Sequence, residues 1–178
     1  MEHQVVDGTT IEVPVGEPER FYAHGWHSWC RPAWVSPSDP RHSIADRVDR
    51  LGHDDPVHAF DDTPGGSAVG AVLRGNDTTL VGALAPGGWV TLEENRLVGT
   101  YEDDPGSWFV AHGDVDDVFQ AYATALAGHL GCRGGSEVRL WCSWYSYYED
   151  IDERRITAAI DGLGDLPFDT IQIDDGWQ

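Results

Sequence analysis

The stretch that decides the fold begins at Glu137 and reads "EVRLWCSWYSYY" (137–148), "EDIDERRITAAIDGLGDL" (149–166) and, after Pro167, "FDTIQIDDGWQ" (168–178). Aromatic and β-branched residues dominate the first piece, which reads as a β-rich run. In the second, Asp150 or Asp152 is placed to cap a helix, and Ile156, Ile160 and Leu163 recur at the spacing of one helical face. The third carries Ile171 and Ile173 and reads as a buried apolar strand. Strand, helix, strand is a βαβ unit, whose strands run parallel through a right-handed crossover. Two parallel strands need further neighbours and cover on both faces, so the unit is expected to be the start of a larger α/β domain.

Upstream lies "GCRGG" (131–135), a glycine-rich linker. Before it, Asp114 is a good N-cap, and Val115, Val118, Phe119, Tyr122 and Leu126 follow at spacings of three and four. The pattern predicts a helix over about 114–130 with Gly131 at its C-cap. Up to about residue 112 the signals change to "TTIEVPV", "RFYAHGW", "SAVGAVLRG", "TTLVGALA", "WVTLEENRLVG" and "SWFVAHG", separated by Asn-Asp, Pro-Gly and Asp-Asp-Pro-Gly. Short runs with turn punctuation and no helical spacing point to an antiparallel sandwich. Arg31 to Phe60, rich in Pro, Asp and His, reads as a long excursion from the sheet. The expected division is a β-sandwich domain with its closing helix in residues 1–131 and an α/β segment in 132–178.

Composition narrows the function classes. The 178 residues carry 31 Asp and Glu against 11 Arg and no Lys, a formal charge of −20. Such a surface repels nucleic acid and anionic membranes, and neither is expected as a partner. A hydrophobic content of 40% with 8 Trp and 6 Tyr supplies the apolar area of a folded chain rather than a disordered acidic tail. Excess acid, absent Lys and many small residues fit a salt-rich cytoplasm, as in a halophilic archaeon. Cys30, Cys132 and Cys142 form no C-x-x-C pair and predict neither a disulfide framework nor a zinc site. No run suits a signal peptide or a membrane span, and the expected location is cytoplasmic. No glycine loop at a strand-to-helix junction supports nucleotide binding.

Two clusters carry chemistry. Asp174 and Asp175 follow the second strand of the βαβ unit, where Gly176 permits a sharp departure and Trp177 adds an apolar face. An Asp-Asp-Gly alone is compatible with a solvated turn. Carboxylates beside an indole, however, suit sugars, whose hydroxyls need strong acceptors and whose C–H faces stack on aromatic rings. Neighbouring carboxylates are poorly placed to flank one glycosidic bond as acid and base, so they read as hydroxyl acceptors. "WCSWYSYY" (141–148) holds five aromatics, and parallel strands bring their C-terminal ends to one edge, which places some of these rings beside Asp174. Trp144 is the candidate stacking ring, and Cys142 is expected to pack rather than react. "HGWHSWCRPAW" (24–34) adds Trp26, Trp29 and Trp34 as a domain core or the lip of a site. Its His24-x-x-His27 spacing lacks the further ligands of a metal site.

Taken together, "WCSWYSYYEDIDE", "IQIDDGWQ" and the upstream "GWHSW" resemble the α-galactosidases of glycoside hydrolase family 36. The resemblance covers the whole chain in order and is most specific over 141–178. It implies an N-terminal β-supersandwich followed by the first β-α-β unit of an incomplete (β/α)8 TIM barrel, and hydrolysis of terminal α-galactosides with retention and without a cofactor. It also implies that Trp144, Asp174, Asp175 and Trp177 contact the sugar, and that Trp26 or Trp29 reaches the pocket from the β domain. The family's nucleophile and acid/base lie on later strands, expected beyond Gln178, and a whole barrel takes about 250 residues. The chain is therefore expected to be an inactive N-terminal portion, through truncation, frameshift or a split gene, with α-galactosides as partners and a homo-oligomer or a second chain completing the barrel. Two alternatives stay open: a free-standing carbohydrate-binding β-sandwich, and part of a raffinose-synthase-like galactosyltransferase.

Overall fold

The computed structural model describes residues 1–25, 32–38, 63–132, 134–135 and 137–177. They fall into two units, Met1–Cys132 and Arg133–Gln178. The first contains β1 (Glu2–Gly8), β2 (Thr10–Pro14), β3 (Arg20–Ala23), β4 (Ala33–Val35), β5 (Gly65–Ser67), β6 (Val69–Arg74), β7 (Asp77–Ala83), β8 (Gly88–Glu93), β9 (Arg96–Tyr101), β10 (Gly106–Gly113) and the helix α1 (Val115–His129). Six strands form one sheet in the order β1-β10-β7-β6-β3-β4, and four form another in the order β2-β9-β8-β5. All their pairings are antiparallel.

Side-chain alternation along β10 sets the layers. Trp108 and Val110 point into a core shared with Phe21, Val72, Val81, Val90 and Leu97, between the two sheets. Phe109 and Ala111 point to the opposite face, where Leu80, Val118 and Tyr122 form a second core under α1. A sheet covered on both faces needs apolar residues at consecutive positions, which explains the continuous runs in β7 and β10. Ala68, in the left-handed region at φ 63°, turns the chain out of the four-stranded sheet and into the six-stranded one.

The helix α1 follows its sequence signals closely. Asp114 caps it by accepting from the Asp116 N–H, and Val118 and Tyr122 are its buried residues. At its end the Cys132 N–H reaches the Ala127 carbonyl at 2.8 Å and the Gly131 N–H reaches Gly128 at 3.3 Å. With Gly131 at φ 63°, this is a Schellman closure.

Two sequence expectations for this unit change. Part of the predicted excursion, Ala33–Val35, is the edge strand β4, paired with β3. "WVTLEENRLVG" is two strands joined by a turn at Glu94 and Asn95. The N-terminal residues 2–8, largely exposed even at Val5 and Val6 and not read as a strand from the sequence, form the edge strand β1, held by backbone pairing to β10 rather than by burial.

The second unit contains β11 (Leu140–Cys142), α2 (Trp144–Tyr147), α3 (Glu153–Leu163) and β12 (Thr170–Gln172). The two strands are parallel, in the register Leu140 with Thr170, Trp141 with Ile171 and Cys142 with Gln172. Asp152 caps α3 by accepting from the Arg155 N–H at 2.7 Å. Where the strands begin, Arg139 grips Asp169 through two guanidinium bonds of 3.0 and 3.1 Å and one backbone bond of 3.1 Å.

Two readings of this unit are corrected. The "WCSWYSYY" run leaves the strand at Cys142 and becomes the short helix α2, because the Ser143 carbonyl accepts from the Ser146 and Tyr147 N–H groups. The apolar strand read as buried is exposed, with Ile171 at 36% and Ile173 at 52%. One four-residue helix and one longer helix offer too little surface to cover both faces of a parallel pair. No helix among the described residues is long and apolar enough to cross a membrane.

Candidate functional site

The C-terminal ends of β11 and β12 lie side by side, and the chemistry-bearing residues of the second unit gather there. Ser143, fully buried, follows β11 and donates its backbone N–H to the Gln172 carbonyl at 3.1 Å, extending the ladder by one bond. Its hydroxyl accepts from the Asp174 N–H at 2.9 Å. One small side chain thus fixes where the chain leaves β12.

Asp174 is the centre of this arrangement. One carboxylate oxygen accepts from the Cys142 thiol at 3.3 Å and from the Gln172 amide at 2.9 Å, and the other accepts from the Asp175 N–H at 2.8 Å. These donors hold its carboxyl below the usual aspartate range: the Asp175 N–H contributes most, the thiol next, and the Gln172 amide less. Asp175 accepts from the Gly176 N–H at 2.9 Å. Neither aspartate lies in the strand, which ends at Gln172. Together they form a hydrogen-bonded turn.

Gly176 is required for two reasons. Its φ of 99° disfavours any side chain, and a Cβ there would stand 2.5 Å from the Glu149 carbonyl oxygen. The Asp174–Gly176 loop therefore rests directly on the backbone that follows α2.

Trp144 opens α2, half-buried, with the Tyr148 ring edge-on at 5.3 Å. Trp141 meets Tyr147 at 6.3 Å. Trp177 is 73% exposed at the end of the loop. The structure thus brings Trp144, Asp174, Asp175 and Trp177 into one unit, on the two segments that follow the parallel strands. Trp26 and Trp29 lie outside the described residues. Trp34, in β4, packs instead against Tyr22 and Phe119 at 5.4 and 6.3 Å.

Sequence reasoning missed the supports of this site. Cys142, expected only to pack, is also a hydrogen-bond donor to Asp174, and Ser143 and Gln172 were not singled out. Their partners are two to thirty-two residues away, and only the strand pairing brings the distant ones together. The arrangement places carboxylate acceptors and aromatic rings in one unit. Among the described residues no group of three His, Cys, Asp or Glu side chains is placed to hold a metal ion.

No family model matches the chain, and no curated protein matches it. Among solved structures, an α-galactosidase from Thermus thermophilus in complex with stachyose matches with a TM-score of 0.85 and 36% identity, over 98% of this chain and 38% of that one. The same enzyme in complex with p-nitrophenyl α-D-galactopyranoside matches with a TM-score of 0.84 and 36% identity, over 98% and 36%. An α-galactosidase from Lactobacillus brevis, at 9% identity and a TM-score of 0.56 over 94% of this chain and 25% of its own, shares the fold alone. The chain spans under two fifths of the Thermus enzyme's length, 38% at most. Its antiparallel sheets match a β-sandwich domain of an α-galactosidase, and the chain is structurally related to these glycoside hydrolases.

Proposed function

We propose that the chain is the galactose-recognising portion of a retaining α-galactosidase of glycoside hydrolase family 36. In this reading the β-sheet unit is the family's supersandwich, and β11, α3 and β12 are the first βαβ unit of a (β/α)8 barrel. Trp144 and Trp177 stack on the sugar, and Asp174 and Asp175 accept its hydroxyls. The single observation that carries the reading is the match to the Thermus enzyme over 98% of the chain at 36% identity. The geometry supports it: an ionised Asp174 at the C-terminal ends of parallel strands stands where barrel enzymes keep their substrate groups. The exposed apolar residues on both strands fit a segment that further barrel elements cover.

Asp174 is oriented by three internal donors that leave its Oδ1 able to accept a further hydroxyl, and Asp175 is its immediate neighbour, an arrangement for binding rather than for flanking a bond with acid and nucleophile. The nucleophile and acid/base of such an enzyme belong to later strands. Residues 1–178 should therefore bind stachyose in an NMR titration without releasing nitrophenol from an aryl α-galactoside. Asp174→Ala and Asp175→Ala should each weaken binding by at least about tenfold, since each leaves sugar hydroxyls without a charged acceptor. Turnover above a blank would place the catalytic pair within this chain. Parental affinity in both variants, or a parent that does not bind, would remove these residues from the sugar site.

A further inference from the structure

We propose that Tyr148 is a positioning residue that ties the two arms of the candidate site together. Its backbone sits at φ 53° and ψ −131°, a region that glycine occupies freely and side-chain-bearing residues rarely adopt. Tyr148 is 64% exposed, so burial does not offset the strain. A turn with no task beyond reversing the chain would favour glycine here, whereas strain of this kind collects where geometry serves function.

Three contacts say what the strain serves. The Tyr148 ring stands edge-on to Trp144, at 5.3 Å and an interplanar angle of 77°. The Tyr148 N–H closes α2 on the Trp144 carbonyl at 3.0 Å. The reversal at Tyr148 then delivers the backbone of Glu149 against Gly176, so closely that a Cβ on Gly176 would meet the Glu149 Cα at 2.6 Å. Gly176 directly follows Asp175 and is its hydrogen-bond donor. One residue therefore sets the orientation of the stacking ring on one side and the seat of the carboxylate loop on the other. A glycine would keep the turn but lose the ring that braces Trp144. This inference deepens the galactoside reading and rests on it for the sugar.

The test uses the full 178-residue chain, isotopically labelled, with Tyr148→Gly and Tyr148→Phe, and with Trp144→Phe to identify the Trp144 indole N–H resonance. Tyr148→Gly should melt no lower than the parent, because it relieves the strained backbone. It should nevertheless shift the Trp144 resonance and weaken stachyose binding about fivefold. Tyr148→Phe, which keeps the ring, should match the parent in both. An unmoved resonance with parental affinity in Tyr148→Gly would overturn the proposal. So would a clear drop in its melting temperature, the mark of a merely structural residue. If the parent binds no stachyose, the galactoside reading fails separately, and the indole resonance and the melting temperature decide the role of Tyr148: a moved resonance without a lower melt supports it, and any other pair of results overturns it.

Discussion

At the scale of single residues, the carboxylate of Asp174 carries the most information. An exposed aspartate titrates near about 3.9, but here the Asp175 N–H, the Cys142 thiol and the Gln172 amide all favour the charged form. A depressed folded-state value means that the stabilisation is complete above the unfolded pKa and is lost as pH falls through the folded one. Carboxyl NMR of the chain should therefore give Asp174 a midpoint below that of an unperturbed aspartate, and Cys142→Ala should move it upward by removing one donor. A midpoint at or above the ordinary value would mean that these donors are not aimed at the ionised group. The Asp-Asp-Gly-Trp motif was legible in the sequence because its residues are consecutive. Its supports were not: Cys142 lies thirty-two residues before Asp174 and was read as packing alone.

At the scale of elements, α1 and α2 contrast. The signals for α1 are local: an Asp114 cap, an apolar face at three- and four-residue spacing and a glycine stop, all read from one short stretch. Its attachment to the sheet is specific as well. Tyr122 lies over Gly82, where a Cβ would be 2.3 Å from the ring, and donates its hydroxyl to the buried Ala83 carbonyl at 2.8 Å. Burial pushes the Tyr122 phenol far above its ordinary range, so the donor stays protonated at any working pH. Tyr122→Phe should cost about 1–2 kcal/mol by leaving that carbonyl unpaired, read as a lower urea midpoint with an unchanged m-value. A midpoint equal to the parent's would show that the hydroxyl adds nothing to the helix–sheet contact. By contrast α2, four residues long, has no side-chain cap of its own, and its Ser143 hydroxyl is committed to Asp174. Propensity alone made it β.

At the scale of the whole molecule, charge is the dominant fact. A formal −20 on 178 residues opposes compaction through self-repulsion, and salt screens that repulsion. The melting temperature should rise as KCl increases from low to molar concentration. A flat or falling series would show that the carboxylates are already balanced within the fold, as Arg96 with Glu12 and Arg155 with Asp150 and Asp152 are locally.

The sequence by itself determined the elements whose causes are local. Turn residues separated the strands of the sandwich, Asp114 and Asp152 began the two longer helices, and the strand–helix–strand order required β11 and β12 to be parallel. Tertiary structure decided what depends on distant partners. Backbone pairing with β10 made a strand of residues 2–8, whose side chains bury little, and pairing with β3 made one of Ala33–Val35. Too few neighbours left Ile171 and Ile173 exposed, though their pattern is that of a core strand. The register of Cys142 with Gln172 brought a thiol, a hydroxyl and an amide to Asp174, because hydrogen bonds depend on distance in space, which spacing along the chain does not encode.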